Sequence, residues 1–334
     1  MVSCYVIAEA GVNHNGDLNT ALGLVAAAAA AGADAVKFQT FQASEIAISD
    51  APKAAYQAER DKESSNQREM LRRLELDAAA HRALSARCVE RGIDFLSSPF
   101  GLRDLQLILD SGVHAIKLGS GEITNLPLLQ AAGRSGLPVY LSTGMSSLGE
   151  VAIAVEALKK AGARVTLMHC LSAYPAPPEE INLRAMDALA DAFQVPVGFS
   201  DHTLGIGIAI AAAARGATVI EKHLTLDRTL PGPDHAASLE PEEFAVMVRE
   251  IRHVAAALGD GVKRVMPSEA ANRAVSRKSI VAARDLAAGE LLSRDSLTTK
   301  RPGTGLSPMV IDQVLGLRLK HDIRADTLLS WSDF

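Results

Sequence analysis

Residues 195–223 read VPVGFSDHTLGIGIAIAAAARGATVIEKH, and they decide the fold. Apolar runs of strand length occupy 195–199 and 218–220. The first runs into Ser200-Asp201-His202 and the second into Glu221-Lys222-His223. The two histidines are 21 residues apart, about one strand-helix repeat, which places them side by side at one edge of a parallel sheet. Either imidazole alone is most simply a satisfied core histidine. As a pair, with carboxylates beside both, they read as half of a divalent-metal site.

The same alternation extends in both directions. Strand-length apolar runs fall at 5–9, 35–39, 94–98, 115–118, 139–143 and 165–169, before the pair at 197–202 and 218–223. Segments rich in Ala, Leu and charge lie between them, such as 148–161 and 240–258. Gly32, Gly92, Gly112, Gly136, Gly162 and Gly216 each fall shortly before the next strand, where a helix C-cap belongs. Eight strands with helical crossovers predict a closed parallel (β/α)8 TIM barrel with helices outside. An open doubly wound sheet is the alternative, but its Gly-rich dinucleotide fingerprint is absent. The pattern sets a catalytic barrel over 1–262, a linker over 263–275 and a small, mainly β module over 276–334. Turn-like Gly, Pro and Asp separate short apolar pieces in that module, at 279–282, 291–292, 297–299 and 327–329.

Composition excludes several classes. The chain has 334 residues, 48% hydrophobic and 22% charged, with net charge −5, as expected of a globular protein with a large core. It carries no basic tract and only 4% aromatics, which argues against nucleic acid as a partner. Three scattered cysteines, Cys4, Cys88 and Cys170, fit a reducing cytoplasm better than a disulfide framework. No signal-peptide pattern opens the sequence. The Ala-rich run 21–33 is too short for a span of about 20 residues and reads as a helix packed on the sheet.

Barrel chemistry takes place at the C-terminal ends of the strands, and polar residues gather there. They are Glu9, Lys37 with Gln39, Ser97 with Ser98, Lys117 with Ser120, Ser142 with Thr143, His169, Ser200 with His202, and Glu221 with His223. Residues 43–66 read as an active-site loop. Lysines and hydroxyls suit phosphate and carboxylate oxygens, and a metal on neutral imidazoles suits polarisation of a carbonyl. The set points to a phosphorylated, acidic substrate meeting an aldehyde or ketone. Lys37 or Lys117 as a Schiff-base nucleophile is the alternative, with structural ion pairs to Glu9 and Glu221 as the plain account of either lysine.

Ile7-Ala8-Glu9-Ala10-Gly11-Val12-Asn13-His14-Asn15-Gly16 resembles the opening motif of the sialic acid synthase family. The resemblance continues in order through Ala35-Val36-Lys37-Phe38-Gln39-Thr40-Phe41, Ser120-Gly121-Glu122, Ser142-Thr143-Gly144-Met145, Gly198-Phe199-Ser200-Asp201-His202, Glu221-Lys222-His223 and Gly232-Pro233-Asp234-His235. The tail around Lys300-Arg301-Pro302-Gly303 resembles an antifreeze-like (SAF, β-clip) domain. The resemblance implies condensation of phosphoenolpyruvate with an N-acylated hexose to a nine-carbon 2-keto acid plus phosphate. It also implies a divalent metal, Mn2+ with Mg2+ or Co2+ as alternatives, on His202 and His223. Lys37, Ser98, Lys117, Ser120, Ser142 and Ser200 would hold phosphoenolpyruvate, and Glu9 would contact the sugar and manage a proton. Glu221 and Asp234 would orient water or sugar, with Tyr174 and His235 as further sugar contacts. Arg301 would reach a partner's active site in a domain-swapped homodimer.

One departure bears on the sugar. Many family members have Asn or Thr after the His169-Cys170 position, whereas this chain reads Leu171-Ser172-Ala173-Tyr174. N-acetylmannosamine is the default substrate, followed by a 2,4-diacetamido-6-deoxy hexose of the legionaminic or pseudaminic type. Outside this class, the alternatives are a Schiff-base aldolase or lyase and a non-catalytic sugar-binding protein. Borohydride trapping separates the aldolase, and the intact polar ring argues against the binder.

Overall fold

The computed structural model describes residues 4–334. The chain divides into two compact units, one ending at Asp260 and the other spanning Gly261–Phe334. The first unit holds eight parallel strands. They are β1 (Tyr5–Gly11), β2 (Ala35–Thr40), β3 (Asp94–Pro99), β4 (Ile116–Leu118), β5 (Val139–Ser142), β6 (Val165–Cys170), β7 (Val197–Asp201) and β8 (Val219–His223). Ladder order is β3-β2-β1-β8-β7-β6-β5-β4. Strands β3 and β4 lie side by side without ladder pairing, so the sheet is a nearly closed (β/α)8 barrel.

Local chemistry sets the helices. Leu18–Ala30 begins where the Asp17 carboxylate accepts the Thr20 N–H at 2.7 Å. It buries Ala21, Leu24, Val25 and Ala28, a stripe of helical spacing whose small side chains allow close packing on the sheet. Leu148–Lys160 opens with a capping box between Ser147 and Glu150. Ala78–Arg91 stops at Gly92, whose φ of 66° is left-handed and costs a Cβ-bearing residue more than glycine. The other five glycines expected at helix ends also have positive φ.

Inside the barrel, Ile7, Ala35, Leu96, Ala115, Met168 and Val219 pack as a plug with Tyr5 and Tyr140 against it. Tyr5 donates to Asp94 at 2.6 Å at the N-terminal end. Burying each Ile or Leu side chain of such a plug contributes about 1.5–3 kcal/mol. The plug fills the barrel interior below the C-terminal ends of the strands.

Residues 43–66 carry short helices, Ala43–Ile46 and Ala55–Arg60. Lys53 ties the segment down by donating to the carbonyls of Asp61 and Ser64, each at 2.6 Å. In the second unit, β9 (Ser279–Ala282) pairs antiparallel with β10 (Leu297–Lys300). The pieces expected at 291–292 and 327–329 contribute only the isolated bridges Leu291↔Arg318 and Val281↔Leu328. The expected linker contains a helix, Ala270–Ser276, because its Ala-rich sequence follows a Pro-initiated 3-10 turn at Pro267–Glu269. All three cysteines are free and buried. Among the described residues, no helix is long and apolar enough to cross a membrane.

Candidate active site

A cavity of about 470 Å3 opens at the C-terminal ends of the strands. The strands themselves bring Glu9, Lys37, Ser98, Lys117, Ser142, Ser200, Glu221 and His223 to its wall. The segments that follow β4, β6 and β7 add Ser120, Tyr174 and His202. Alternation along a strand decides which polar residues take part. Ser98 faces in, whereas Ser97 bonds Thr40 at 2.6 Å, and Thr40 bonds His81 at 2.7 Å. His169 donates to the Ile181 carbonyl at 2.7 Å, and Thr143 donates to the Met168 carbonyl at 3.3 Å. Ser97, Thr143 and His169 are therefore structural, contrary to their expected place at the mouth.

Charge alternates across the cavity floor. Lys37 lies 2.7 Å from Glu9 and 3.8 Å from Glu221, and Lys117 lies 3.6 Å from Glu221. Lys37 also donates to Ser98 at 3.0 Å, and Lys117 to Ser142 at 2.7 Å. Ser200 donates to Glu221 at 2.7 Å. The environments push the two carboxylates apart. Burial raises Glu9 to about 7; Lys37 opposes this, and the negative charge of Glu221 reinforces it. Glu221 is as deeply buried, but Lys117, Lys37 and the Ser200 hydrogen bond outweigh burial and hold it down at about 2. A protonated Glu9 leaves two ammonium groups against one carboxylate, a net positive floor suited to an anion.

The Ser142-Thr143-Gly144 turn has a steric reason. Gly144 N–H donates to Ser120 Oγ at 3.0 Å. A Cβ at Gly144 would lie 2.4 Å from Ser172 Oγ and 2.9 Å from Ser120 Oγ. Any larger residue would displace Ser120, which this turn presents to the cavity.

The two histidines face one another with ring centroids 5.5 Å apart. His202 Nδ1 is 2.6 Å from the Leu171 carbonyl. A carbonyl only accepts, so Nδ1 carries the proton and Nε2 keeps its lone pair. His223 Nδ1 is buried with no hydrogen-bond partner, 3.9 Å from Asp234 Oδ2. Burial holds both imidazoles below the usual histidine range, His223 also through the neighbouring His202, so both are neutral at neutral pH. Neutral imidazoles, one with its tautomer fixed by a carbonyl, fit two ligands of a divalent ion. Among the described residues, no group of three or more His, Cys, Asp or Glu side chains could hold a metal, so water or substrate oxygens would complete the shell. Tyr174 stacks on His202 at 4.3 Å and Tyr56 on Tyr174 at 5.2 Å, an aromatic column from the histidines towards the loop.

Two expected site residues lie off the cavity wall. Asp234 is buried behind His223 and off the cavity wall, and burial raises it to about 6. His235 bonds Thr225 at 2.7 Å and Asn15 at 3.4 Å, so its ring holds the 225–235 loop. Arg301 belongs to the second unit, where it is exposed and makes no ion pair among the described residues. Conversely, Tyr56, Gln57, Gln67 and Cys170 line the cavity and were not singled out from sequence. Tyr56 and Gln57 fall in the loop that was, and Tyr56 is its one aromatic residue.

A (β/α)8 barrel with a charged cavity at its C-terminal end, followed by a small β unit, defines a class of two-unit barrel enzymes. Within it, this chain belongs to the NeuB family: the family model matches residues 24–263, and the SAF domain model matches residues 277–334. The chain is 46% identical to N,N'-diacetyllegionaminic acid synthase of Campylobacter jejuni subsp. jejuni, over 98% of this chain and 99% of that protein. It is also 46% identical to N,N'-diacetyllegionaminic acid synthase of Legionella pneumophila subsp. pneumophila, over 99% and 94% respectively. Among solved structures, N-acetylneuraminic acid synthetase of Leptospira borgpetersenii serovar Hardjo-bovis superposes with a TM-score of 0.72 at 37% identity, covering 80% of this chain and 90% of that one.

Proposed function

We propose that this chain condenses phosphoenolpyruvate with an N-acylated hexose, giving a nine-carbon 2-keto acid and phosphate. One observation carries the proposal: a single cavity holds two lysines around Glu221 on its floor and two facing neutral histidines beside them. Lys37 and Lys117, with Ser98, Ser120, Ser142 and Ser200, would bind the phosphate and carboxylate. A divalent ion on His202 and His223, Mn2+ with Mg2+ or Co2+ as alternatives, would make the sugar aldehyde electrophilic. Carbon 3 of phosphoenolpyruvate then bonds to the aldehyde carbon, and Glu9 gives its proton to the oxygen that becomes a hydroxyl. Water adds at carbon 2 and loses a proton, and phosphate leaves with the bridging oxygen.

The two legionaminic relatives move the preferred sugar from N-acetylmannosamine to a 2,4-diacetamido-6-deoxy hexose. A phosphate-release assay across N-acetylmannosamine, its 6-phosphate and the diacetamido sugar should give the highest kcat/KM for the last. Oxygen-18 water should leave the phosphate unlabelled. Preference for the 6-phosphate, or early label in phosphate, contradicts this assignment.

Our reading includes a cytoplasmic homodimer in which Arg301 of one subunit serves the partner's cavity. The exposed guanidinium, with no ion pair among the described residues, supports it in a NeuB-family chain. Arg301→Ala should raise the sugar's KM about ten- to a hundredfold, the cost of a charged hydrogen bond, with little change for phosphoenolpyruvate. Mixing Arg301→Ala and His202→Ala subunits under exchange should restore activity at a sugar concentration too low for either variant to turn over alone. No recovery in demonstrated hybrid dimers rules the arrangement out.

A further inference from the structure

The chemistry above leaves one fully buried ion pair unused. Neither the Asp201 nor the Lys222 side chain has exposed surface, and Lys222 Nζ lies 2.8 Å from Asp201 Oδ2. The ladder between β7 and β8 pairs Ser200 with Glu221 and Asp201 with Lys222. Alternation sends successive pairs to opposite faces of the sheet. Ser200 and Glu221 therefore meet on the cavity wall, while Asp201 and Lys222 lie off it. The next residue along each strand is a histidine, His202 on one and His223 on the other.

The pair also holds the chain beyond His202. Asp201 Oδ1 accepts from the Thr203 N–H at 2.9 Å and from the Thr203 hydroxyl at 2.8 Å. Lys222 donates to the Thr203 carbonyl. The backbone on both sides of His202 is thus tied to the residue that precedes His223. Stability alone gives no reason for this device, since desolvating two charges offsets most of their attraction and apolar residues of similar volume usually serve as well. What an ion pair adds is direction, because its hydrogen bonds fix positions that an apolar contact lets slide.

The geometry points to a positioning role: the Asp201–Lys222 pair sets the spacing and orientation of His202 and His223, and with them the divalent-ion site. The inference rests on the reading of these histidines as metal ligands. The test is the double variant Asp201→Asn/Lys222→Met, which removes both charges and leaves no buried ion alone. Circular dichroism should show a parental fold, and nitrogen-15 spectra of the metal-free protein should show displaced imidazole signals for His202 and His223. Calorimetric Mn2+ titration should give a dissociation constant raised about ten- to a hundredfold, the usual cost of losing an outer-shell partner. The kcat should fall, while the KM for phosphoenolpyruvate, held mainly from other strands, should stay within about twofold. If the double variant unfolds, Asp201→Asn/Lys222→Gln, which also leaves no buried ion alone and keeps an acceptor for Thr203, goes through the same measurements. A folded variant with parental imidazole signals and parental Mn2+ affinity overturns the inference. If the parent chain itself binds no Mn2+, the ligand reading fails separately, and the imidazole signals still decide whether the pair positions the rings.

Discussion

His202→Ala and His223→Ala are each expected to lower kcat/KM by about a thousandfold or more while the barrel stays folded. Loss of a Lewis acid removes several kcal/mol of transition-state stabilisation, and each 1.36 kcal/mol is about tenfold in rate. The fold should survive because neither ring belongs to the apolar plug beneath the cavity. Both rings line open space that water can fill once the imidazole is gone. His202→Ala also removes the ring on which Tyr174 stacks, so a small additional loss in sugar binding is expected there. Steady-state kinetics beside circular dichroism tests this. Near-parental turnover in either folded variant, measured after dialysis against chelator, would end the metal assignment.

Glu9→Gln is expected to lower kcat about a hundred- to ten-thousandfold, the range typical of removing a positioned general acid. The pH profile carries the sharper test. Burial keeps Glu9 protonated up to about 7, and only the protonated carboxyl can donate to the developing sugar oxygen. The parent's rate should therefore fall as pH rises through about 7, and the variant should be slow with that limb gone. Stability follows with its own sign. A folded-state value above the unfolded carboxyl range means that the native chain holds the proton more tightly. This contribution is fully present below the unfolded value and is lost as pH rises through about 7. The melting temperature of Glu9→Gln should accordingly drop less than the parent's between mildly acidic and mildly alkaline pH. A variant that keeps both the parental rate and the alkaline limb would show that the proton comes from elsewhere.

Glu221 shows why these two carboxylates cannot exchange roles. Both are single acidic residues on adjacent strands, paired in ladders to either side of β1 and β8. Glu221 sits between two ammonium groups and accepts from Ser200, so it remains an anion that orders the lysines. Glu9 shares only Lys37 closely and feels Glu221 as a repelling charge. Position along the chain carries none of this, because a carboxylate's proton affinity is set by burial and by neighbours remote in sequence.

The barrel was legible in the sequence because its signals are local. Apolar runs of strand length, helix-length spacers and glycines at helix ends all act over a few residues, and each strand begins and ends close to where the pattern puts it. The loop at 43–66 was legible as a site element from its length alone, but its short helices and the Lys53 tether were not, since they depend on carbonyls brought together by folding. The small module was less legible. Its pairing rests on long-range bridges such as Leu286↔Ile323, which a run of a few apolar residues does not announce.

The sequence by itself determined the (β/α)8 repeat and the polar strand ends, and with them the presence of Lys37, Lys117, His202 and His223 at one mouth. Strand direction is shared around a parallel barrel, so whatever ends a strand reaches the same face. Only the tertiary structure decided which polar residues enter the cavity and in what state. The two-residue period turned Ser98 inward and left Ser97 and His169 outside. Contacts between strands far apart in sequence raised Glu9, lowered Glu221, fixed the His202 tautomer through the Leu171 carbonyl and locked Asp201 to Lys222. Those outcomes are set by distances of a few ångströms in a desolvated interior, where electrostatic interactions are strongest and local sequence says least.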